Sequence, residues 1–325
     1  MMIKKLIPAA VLLTVMGAAQ AQVAAPAVTF YGLIDMSYGK NETIGDKKFD
    51  FHSGGDNGSS EGNSTTRVGL KGSMDVGSGV KANFKFETGG ITSNGEVNPG
   101  GYFFNRQAWA GFSGNFGEIR LGRQDNVPLQ VMSDFDFNWS SNASSAGLLA
   151  LTHPGSLNSR QSRSLQYISP AMGGLSVQAG FQPESNDYTG TTGNQANYSL
   201  GLKYKADKLL IGFVTESART DPGSSFYSVA GSYDFGVVKA EISYADGGVG
   251  FKGTTVGFQA PVAGFNIGLT YAKNSDAAGA TATEVWINRE IFKNTYAYLQ
   301  NGNLNKANAY FAKGNATALG VIYLF

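Results

Sequence analysis

The sequence lacks cysteine and contains only two histidines, His52 and His153, among 325 residues. Disulfide bonds therefore cannot stabilise the fold. The thiolate ligands of a soft-metal site are missing, and its imidazole ligands are scarce. We expect no metal site and no cofactor. The formal net charge is only +1, so the chain has no strongly basic character that would predict a nucleic-acid partner.

Long apolar runs are also missing. After the first 21 residues, no stretch of about 18 consecutive apolar residues occurs, and no membrane-spanning helix is predicted. Glycine, with 44 residues, is nearly twice as frequent as in an average protein. This abundance favours turns and close backbone approaches over helices.

The first 21 residues have the three parts of a secretory signal peptide. Met1–Lys5 is basic, Leu6–Ala18 is mostly apolar, and Ala19–Ala21 is a small-residue cleavage site. We predict cleavage at the end of this segment, which leaves residues 22–325 as one exported domain. A transmembrane anchor is the less favoured alternative, because the apolar run is short and contains Pro8.

Much of the exported chain alternates between apolar and polar residues with a period of two, which indicates β-strands. The clearest strand has one face of Val80, Ala82, Phe84, Phe86 and Thr88 and another of Lys81, Asn83, Lys85 and Glu87. In a soluble sandwich, the apolar face would form the core. In a membrane barrel, it would contact lipid while the polar face lined water. Periodicity alone does not distinguish these folds.

The lengths of the connections favour the barrel. Short turns such as Ala206–Asp207 and Phe292–Lys293 alternate with longer loops such as Pro183–Gln195 and Gly302–Asn315. Outer-membrane barrels have short turns at one end and longer loops at the other. We count about sixteen strands of roughly ten residues, the length of a tilted membrane crossing. The predicted fold is all-β, a 16-stranded antiparallel transmembrane β-barrel, with Glu42–Ser64 as a long exposed loop.

One connection, Gln124–Ser159, is much longer than an ordinary hairpin loop, and we call it the long segment. Its apolar content argues against a solvated linker; these residues are Val127, Leu129, Val131, Met132, Phe135, Phe137 and Trp139. It also carries Asp125, Asp134 and Asp136 and no base. Loops of this length are commonly functional. We predict that the long segment folds into the barrel and narrows its channel.

The strand after the long segment contains an irregularity. Arg160 shares the parity of Ser164 and Gln166, whereas Arg163 shares the parity of the apolar Leu165. Arg163 therefore lies above the apolar band or is redirected by a β-bulge.

Several motifs, taken in order, resemble the general-diffusion porins of Gram-negative outer membranes. They are Val28–Asp35, with the pattern V-T-x-Y-G, Thr66–Ser73, Asn105–Gly111, Asn115–Gly117, Leu121–Gln124, Ser164–Pro170 and the terminal Phe325. Each motif is weak alone, but their order and spacing are specific and cover the mature chain. The sequence departs from the family in two places. The long segment lacks a P-E-F-G-G-like turn, and Ile322 and Leu324 occupy positions where basic or polar residues are common in the family.

The resemblance implies a sixteen-stranded barrel, a homotrimer and a third loop folded inward as a constriction. By family position, Arg67, Arg106 and Arg160 are the wall arginines, and Asp134 and Asp136 are the loop acids that they face. We also expect Lys71, Lys81, Lys85, Arg120, Arg123 and Asp125 to line the pore. The resemblance further implies contact with outer-membrane lipid and lipopolysaccharide, and recognition of Phe325 by the barrel-assembly machinery.

Three kinds of function fit these features. The favoured one is passive diffusion of small hydrophilic solutes and ions with a mild anion preference, because bases outnumber acids on the polar faces. The alternative is a channel specific for organic acids or sugars, in which Phe135, Phe137 and Trp139 contact the solute rather than anchor the segment. An enzyme is not expected, because His52 and His153 lie in loops without a Ser/Asp partner set. Adhesion through Glu42–Ser64 stays open as a secondary role.

Overall fold

The computed structural model of the chain describes residues 27–97, 101–139, 141–142, 159–184, 195–218, 224–247, 252–275, 279–307 and 311–325. The predicted signal peptide lies outside these ranges. The strands are β1 Ala27–Asn41, β2 Asp50–Ser53, β3 Arg67–Gly77, β4 Val80–Gly89, β5 Gln107–Gly114, β6 Gly117–Asp125, β7 Arg160–Ile168, β8 Leu175–Gln182, β9 Asn197–Ala206, β10 Leu209–Glu216, β11 Phe226–Asp234, β12 Lys239–Asp246, β13 Lys252–Val262, β14 Phe265–Asn274, β15 Thr281–Phe292, β16 Thr295–Leu304 and β17 Gly314–Leu324. The helical elements are α1 Asp56–Ser59, α2 Val127–Met132 and the 3-10 turns Glu42–Ile44 and Ser133–Phe135. None of the helices among the described residues is long and apolar enough to cross a membrane.

The sheet closes on itself through β1. One side of this strand pairs antiparallel with β17 over Leu33–Asn41. The other side pairs with β3 over Ala27–Leu33 and with the short β2 over Met36–Gly39. Each strand from β3 to β17 pairs with the next one along the chain. The sixteen long strands therefore form a closed antiparallel barrel, which has no free edge for another chain to pair with.

The distribution of side chains is the reverse of that in a soluble β-protein. In β14, Ile267, Leu269 and Tyr271 are exposed, while Gly268, Thr270 and Ala272, which alternate with them, are buried. The same alternation follows the other strands, so the outer wall is apolar and the inner face is largely polar or small. An apolar belt around a closed barrel suits hydrocarbon. The barrel prediction is confirmed, and the sandwich alternative is excluded.

Connections alternate in length as predicted. Two residues join β3 to β4, β5 to β6, β9 to β10, β13 to β14 and β15 to β16, and each of these strand pairs is followed by a longer connection. Because neighbouring strands are antiparallel, the short turns gather at one end of the barrel and the longer loops at the other.

A β-bulge explains the irregular parity in β7. The register runs from Gly122 opposite Ser164 to Gln124 opposite Gln161, so β7 contains an extra residue there. Arg163 adopts a left-handed conformation, with φ of 56°. Of the two explanations for Arg163, the structure therefore supports the bulge. The bulge also breaks the parity argument for Arg160, because Gln161 is the residue buried together with Ser164.

The prediction that Glu42–Ser64 is simply an exposed loop is wrong in part. This region contains β2 and α1, and His52, Glu61 and Asn63 within it are buried. The backbone N–H groups of Asn63 and Ser64 donate to Oδ2 of Asp35 in β1 at 2.7 and 2.6 Å. A buried carboxylate that accepts such bonds holds the loop against the wall.

Candidate functional site

A cluster of charged side chains forms where β3 to β7 meet the longer loops. Arg67 begins β3, Arg106 immediately precedes β5 and Arg160 begins β7. These are the three wall arginines predicted from the sequence. The structure places them together with Glu87 of β4 and Asp125 of β6, and we call these five residues the arginine cluster.

Direct contacts organise the arginine cluster. Nε of Arg106 lies 2.6 Å from Oε1 of Glu87, and Nε of Arg160 lies 3.2 Å from Oδ1 of Asp125. The hydroxyl of Tyr31 donates to Oε2 of Glu87 at 2.7 Å. Arg67 interacts electrostatically with Arg106, Glu87 and Asp125. Three guanidinium groups thus surround two carboxylates, and the cluster carries an excess of positive charge. An Arg stays protonated at any working pH, so this excess is permanent.

Three of the predicted pore-lining bases, Lys71, Lys85 and Arg123, lie on the same arc of the wall as the arginine cluster. Nζ of Lys85 is 3.6 Å from Oε2 of Glu87, and Nζ of Lys71 lies 5.3 Å from the centre of the Tyr31 ring. Arg123 donates from Nε to the carbonyl oxygen of Asn105 at 2.6 Å. These three residues extend the positive surface around the cluster.

Arg120 and Lys81 lie farther from the cluster. Nη2 of Arg120 is 2.6 Å from Oε2 of Glu118, near the turn between β5 and β6. Lys81 is exposed, at the turn end of β4, opposite Asp75 in the strand register. Their charges therefore act nearer the short-turn end of the wall than the arginine cluster does.

The acids of the long segment have partners that the sequence did not single out. Nζ of Lys203 in β9 lies 2.8 Å from Oδ2 of Asp134. Oδ1 of Asp136 accepts a 2.9 Å hydrogen bond from the backbone of Asn138, and Asp136 interacts electrostatically with Glu241 of β12. Asp125, at the start of the segment, lies beside Arg160. Lys203 alternates with Leu202 and Tyr204, so strand parity could have identified it as a residue of the inner face.

The first half of the long segment packs on β8 to β12. The side chain of Asn126 caps α2 by accepting from the N–H of Leu129 at 2.8 Å, as expected of an N-cap residue. Four apolar residues of the segment are buried against the inner face; they are Val127, Val131, Met132 and Phe135, and they form one cluster with Val214, Phe226, Ala230 and Ala245. This apolar cluster fixes α2 and the following 3-10 turn on an inner face that is otherwise largely polar.

Glycines make room for this contact. A Cβ atom at Gly201 would lie 2.6 Å from Cγ2 of Val131, and one at Gly180 would lie 3.0 Å from Cγ2 of Val127. The inner face of β8 and β9 is therefore shaped to receive α2.

The other end of the described segment is fixed by polar contacts to distant strands. Nδ2 of Asn138 donates to Oε1 of Glu284 in β15 at 2.6 Å and to Oε1 of Gln300 in β16 at 3.3 Å. Oδ1 of Asn138 accepts from Nδ2 of Asn63 at 3.1 Å. The long segment thus contacts β8 to β12 through α2 and the following 3-10 turn, and it contacts β15 and β16 through Asn138.

The three aromatic residues of the segment have different environments. Phe135 is only 4% exposed and belongs to the apolar anchor, whereas Trp139 is 52% exposed and meets Tyr296 edge-on at 5.5 Å. Phe137 is half-buried. Of the two roles proposed for them, Phe135 has the anchoring role, whereas the ring of Trp139 is largely exposed. The segment's remaining residues, 140 and 143–158, lie outside the described part of the chain.

Comparison with known proteins gives one family. The chain matches the family model for Gram-negative porins over residues 9–323. It is 30% identical over 293 residues to an outer membrane porin protein of Bordetella pertussis, which covers 79% of this chain and 74% of that protein. It is 28% identical over 260 residues to outer membrane porin protein 32 of Delftia acidovorans, which covers 73% of this chain and 67% of that protein.

Solved structures share the fold. The anion-selective porin from Comamonas acidovorans superimposes with a TM-score of 0.72 at 22% identity and covers 92% of this chain and 100% of that one. OmpF of Salmonella typhi, solved in complex with daunomycin, superimposes with a TM-score of 0.69 at 18% identity and covers 92% of this chain and 97% of that one. At these identities, the likeness establishes the barrel architecture alone.

Proposed function

This chain belongs to the Gram-negative porin family and forms an outer-membrane channel, and we propose that the long segment narrows the channel and that the arginine cluster makes it prefer anions. The observation that carries the proposal is the arginine cluster itself, in which Arg67, Arg106 and Arg160 outnumber Glu87 and Asp125. Conduction is passive. A closed barrel of sixteen strands is wide enough to leave an aqueous passage.

Selectivity arises where the passage is narrowest. The long segment brings Asp134 and Asp136 into the interior, while the arginine cluster lies on the wall formed by β3 to β7. A solute that passes between these surfaces loses part of its hydration shell and interacts with fixed charges. The excess of guanidinium groups favours anions, and the separated charges orient dipolar solutes.

Reversal potential in a planar bilayer under a salt gradient tests the preference. We expect an anion-selective potential for the native protein. Arg106→Gln should lower the anion-to-cation permeability ratio about two-fold, which corresponds to ~0.4 kcal/mol. Arg289→Gln is the matched control, because the Arg289 guanidinium lies over the ring of Phe265, 5.2 Å from its centre, at the turn end of β15. A cation-selective potential for the native protein would overturn the anion preference.

A channel specific for organic acids or sugars is the second candidate. The exposed ring of Trp139 beside Tyr296 favours it, because an aromatic face at the constriction can contact a ring-shaped or apolar solute surface. Block of the ion current by added solute separates the candidates. A specific channel gives saturable block at millimolar concentration that Trp139→Ala removes, whereas a non-specific pore gives none.

The assembly is proposed to be a homotrimer embedded in lipopolysaccharide-containing outer membrane. The apolar outer wall supports this proposal, because it offers surface for both lipid and neighbouring copies. Phe325 is proposed to be the residue that the barrel-assembly machinery reads. Cross-linking of the purified protein tests the trimer, and a dominant monomer would contradict it.

A further inference from the structure

Three potential metal ligands meet in the connection between β1 and β3. Asp46 follows the 3-10 turn Glu42–Ile44, His52 lies in β2, and Glu61 follows α1. One donor atom of each residue lies within 4.8 Å of the donor atoms of the other two. His52 is 9% exposed and Glu61 is 2% exposed.

The potential metal-binding atoms of Asp46 and His52 lie close together without forming a hydrogen bond to each other. Nε2 of His52 lies 3.3 Å from Oδ2 of Asp46. Both atoms are inaccessible to water, yet neither has a hydrogen-bond partner. A buried polar atom without a partner costs about 1–3 kcal/mol, and a bound ion is one recognised explanation for it.

Neighbouring side chains lie beside two of the three ligands. Nδ2 of Asn57 donates to Oε1 of Glu61 at 2.8 Å. Oδ2 of Asp56 accepts from the backbone N–H of Ser53 at 2.7 Å and lies 4.0 Å from Nδ1 of His52, which is beyond hydrogen-bond distance. Asp56 therefore lies on the side of the imidazole where the carboxylate partner of a metal-bound histidine is found, without a hydrogen bond to it.

We propose that Asp46, His52 and Glu61 bind a divalent transition-metal ion, with Zn²⁺ as the best fit. Two carboxylates and one neutral imidazole balance the charge of a divalent cation and leave a fourth position for water. Ligands of a tetrahedral zinc site lie about 2.0–2.2 Å from the metal and therefore roughly 3.4 Å apart. The separation of 3.3 Å between Asp46 and His52 matches one edge of such a tetrahedron. Imidazole also disfavours Ca²⁺ and Mg²⁺, which bind oxygen ligands.

This site revises the expectation drawn from composition. The scarcity of histidine and the absence of cysteine exclude a thiolate-rich site, but a site of one imidazole and two carboxylates needs neither. The bland alternative is that His52 forms an ion pair with Asp46 whenever it is protonated. That alternative predicts no metal affinity, so metal binding distinguishes the two.

Bound metal would act on the long segment. Nδ2 of Asn142 donates to the carbonyl oxygen of Glu61 at 3.0 Å, and the backbone N–H of Asn142 donates to the carbonyl oxygen of Asn63 at 2.8 Å. The metal ligand and the long segment therefore share hydrogen bonds. We expect zinc to stabilise the connection between β1 and β3 and, through Asn142, the adjoining part of the segment.

Isothermal titration of the chelator-treated, folded protein in detergent with ZnCl₂ tests the proposal. We expect one site per chain, with micromolar or tighter affinity, and at least ten-fold weaker binding of CaCl₂ and MgCl₂. His52→Gln and Glu61→Gln should weaken zinc binding at least ten-fold. The matched controls are His153→Gln, at the other histidine, and Asp50→Asn, at an exposed acid two residues before His52. Both should bind zinc as the native protein does.

Failure to bind zinc, or equal binding by His52→Gln and the native protein, would overturn the proposal. X-ray absorption at the zinc edge of the native protein needs no variant and covers the case in which His52→Gln fails to fold. One imidazole with oxygen ligands is expected, whereas several imidazoles or oxygen ligands alone would contradict the assignment. Neither readout depends on channel conductance, so the metal site and the pore are tested separately.

Discussion

Nδ2 of Asn138 lies 2.6 Å from Oε1 of Glu284, and this hydrogen bond joins the long segment to β15. Both side chains are buried, with exposures of 1% and 0%. Because α2 packs on β8 to β12, the bond to β15 ties the residues that follow α2 to a different part of the barrel wall. The described part of the segment is therefore held by an apolar contact at α2 and a polar contact at Asn138.

Asn138→Ala should loosen the polar end of the segment. The substitution removes a hydrogen-bond donor to Glu284 and Gln300, and loss of a buried hydrogen bond of this kind costs about 1–3 kcal/mol. Gln300 keeps its hydrogen bond from Nδ2 of Asn63 at 2.9 Å. We expect larger or noisier single-channel currents and a lower denaturation temperature of the folded protein. Asn266→Ala is the control, since Asn266 donates to Asn288 at 3.2 Å in the wall, far along the chain from the segment. Equal currents in Asn138→Ala and the native protein would show that this contact does not position the constriction.

Gly201→Ala should displace the apolar end. The new Cβ atom would lie 2.6 Å from Cγ2 of Val131 and 2.8 Å from Cγ1 of Val127, so α2 must shift from the wall. Overpacking of this kind costs about 1–3 kcal/mol. We expect altered single-channel conductance with the barrel intact. Gly231→Ala, in β11, introduces the same methyl group where no atom lies within 4 Å and should leave the conductance unchanged. Identical traces from the two variants would refute the proposed contact.

Glu87→Gln should strengthen anion selectivity. The carboxylate of Glu87 contacts Arg106 and Lys85, so its loss increases the net positive charge of the arginine cluster. We expect the anion-to-cation permeability ratio to rise about two-fold, or ~0.4 kcal/mol, as measured by reversal potential. Glu118→Gln, at the turn end of β6, should have a smaller effect. A shift toward cations in Glu87→Gln would contradict the electrostatic account.

Phe325 should contribute to closure of the barrel independently of any assembly factor. Its N–H and carbonyl groups bond to the carbonyl and N–H groups of Gly32 at 3.1 and 3.0 Å, and its ring covers Gly32 beside Phe30. Deletion of Phe325 removes both bonds and the ring, whereas Phe325→Ala keeps the bonds. Because the ring is 37% exposed, we expect Phe325→Ala to cost about 1–2 kcal/mol, less than a fully buried Phe.

Refolding of the purified protein into detergent, followed by heat-modifiable gel migration, measures this contribution. The deletion should refold less completely than Phe325→Ala, and Leu324→Ala should refold as the native protein does. Equal refolding of all three variants would leave the assembly machinery as the sole reason for a terminal Phe.

Local patterns predicted the wall well, because alternation and turn length are properties of neighbouring residues. Val80–Thr88 was predicted as a strand, and β4 spans Val80–Gly89. Whether lipid or a protein core covers the apolar face could not be predicted from one strand. The answer depends on closure of the sheet between β1 and β17. The parity argument for Arg160 does not hold for a related reason, since the bulge at Arg163 shifts the alternation and arises from pairing with β6. Arg160 nevertheless lies beside Asp125 in the arginine cluster.

The interior was harder to predict. Arg67, Arg106 and Arg160 do converge, but the Lys203 partner of Asp134 and the Glu284 partner of Asn138 were missed. These contacts join residues far apart in the sequence, and the path of the long segment decides them. The prediction for the connection between β1 and β3 was wrong in part because its Gly, Ser and Asn residues indicate an exposed loop. In the structure, the backbone N–H groups of Asn63 and Ser64 donate to Asp35, and these bonds hold the connection against the wall.

Single-channel recording of the purified native protein in a planar bilayer tests the central claim most directly. The account predicts discrete, ohmic conductance steps, an anion-selective reversal potential in a salt gradient, and closure in three equal steps if the trimer is the inserted unit. A correctly folded protein, shown to be heat-modifiable on a gel, that inserts into the bilayer without conducting would contradict it.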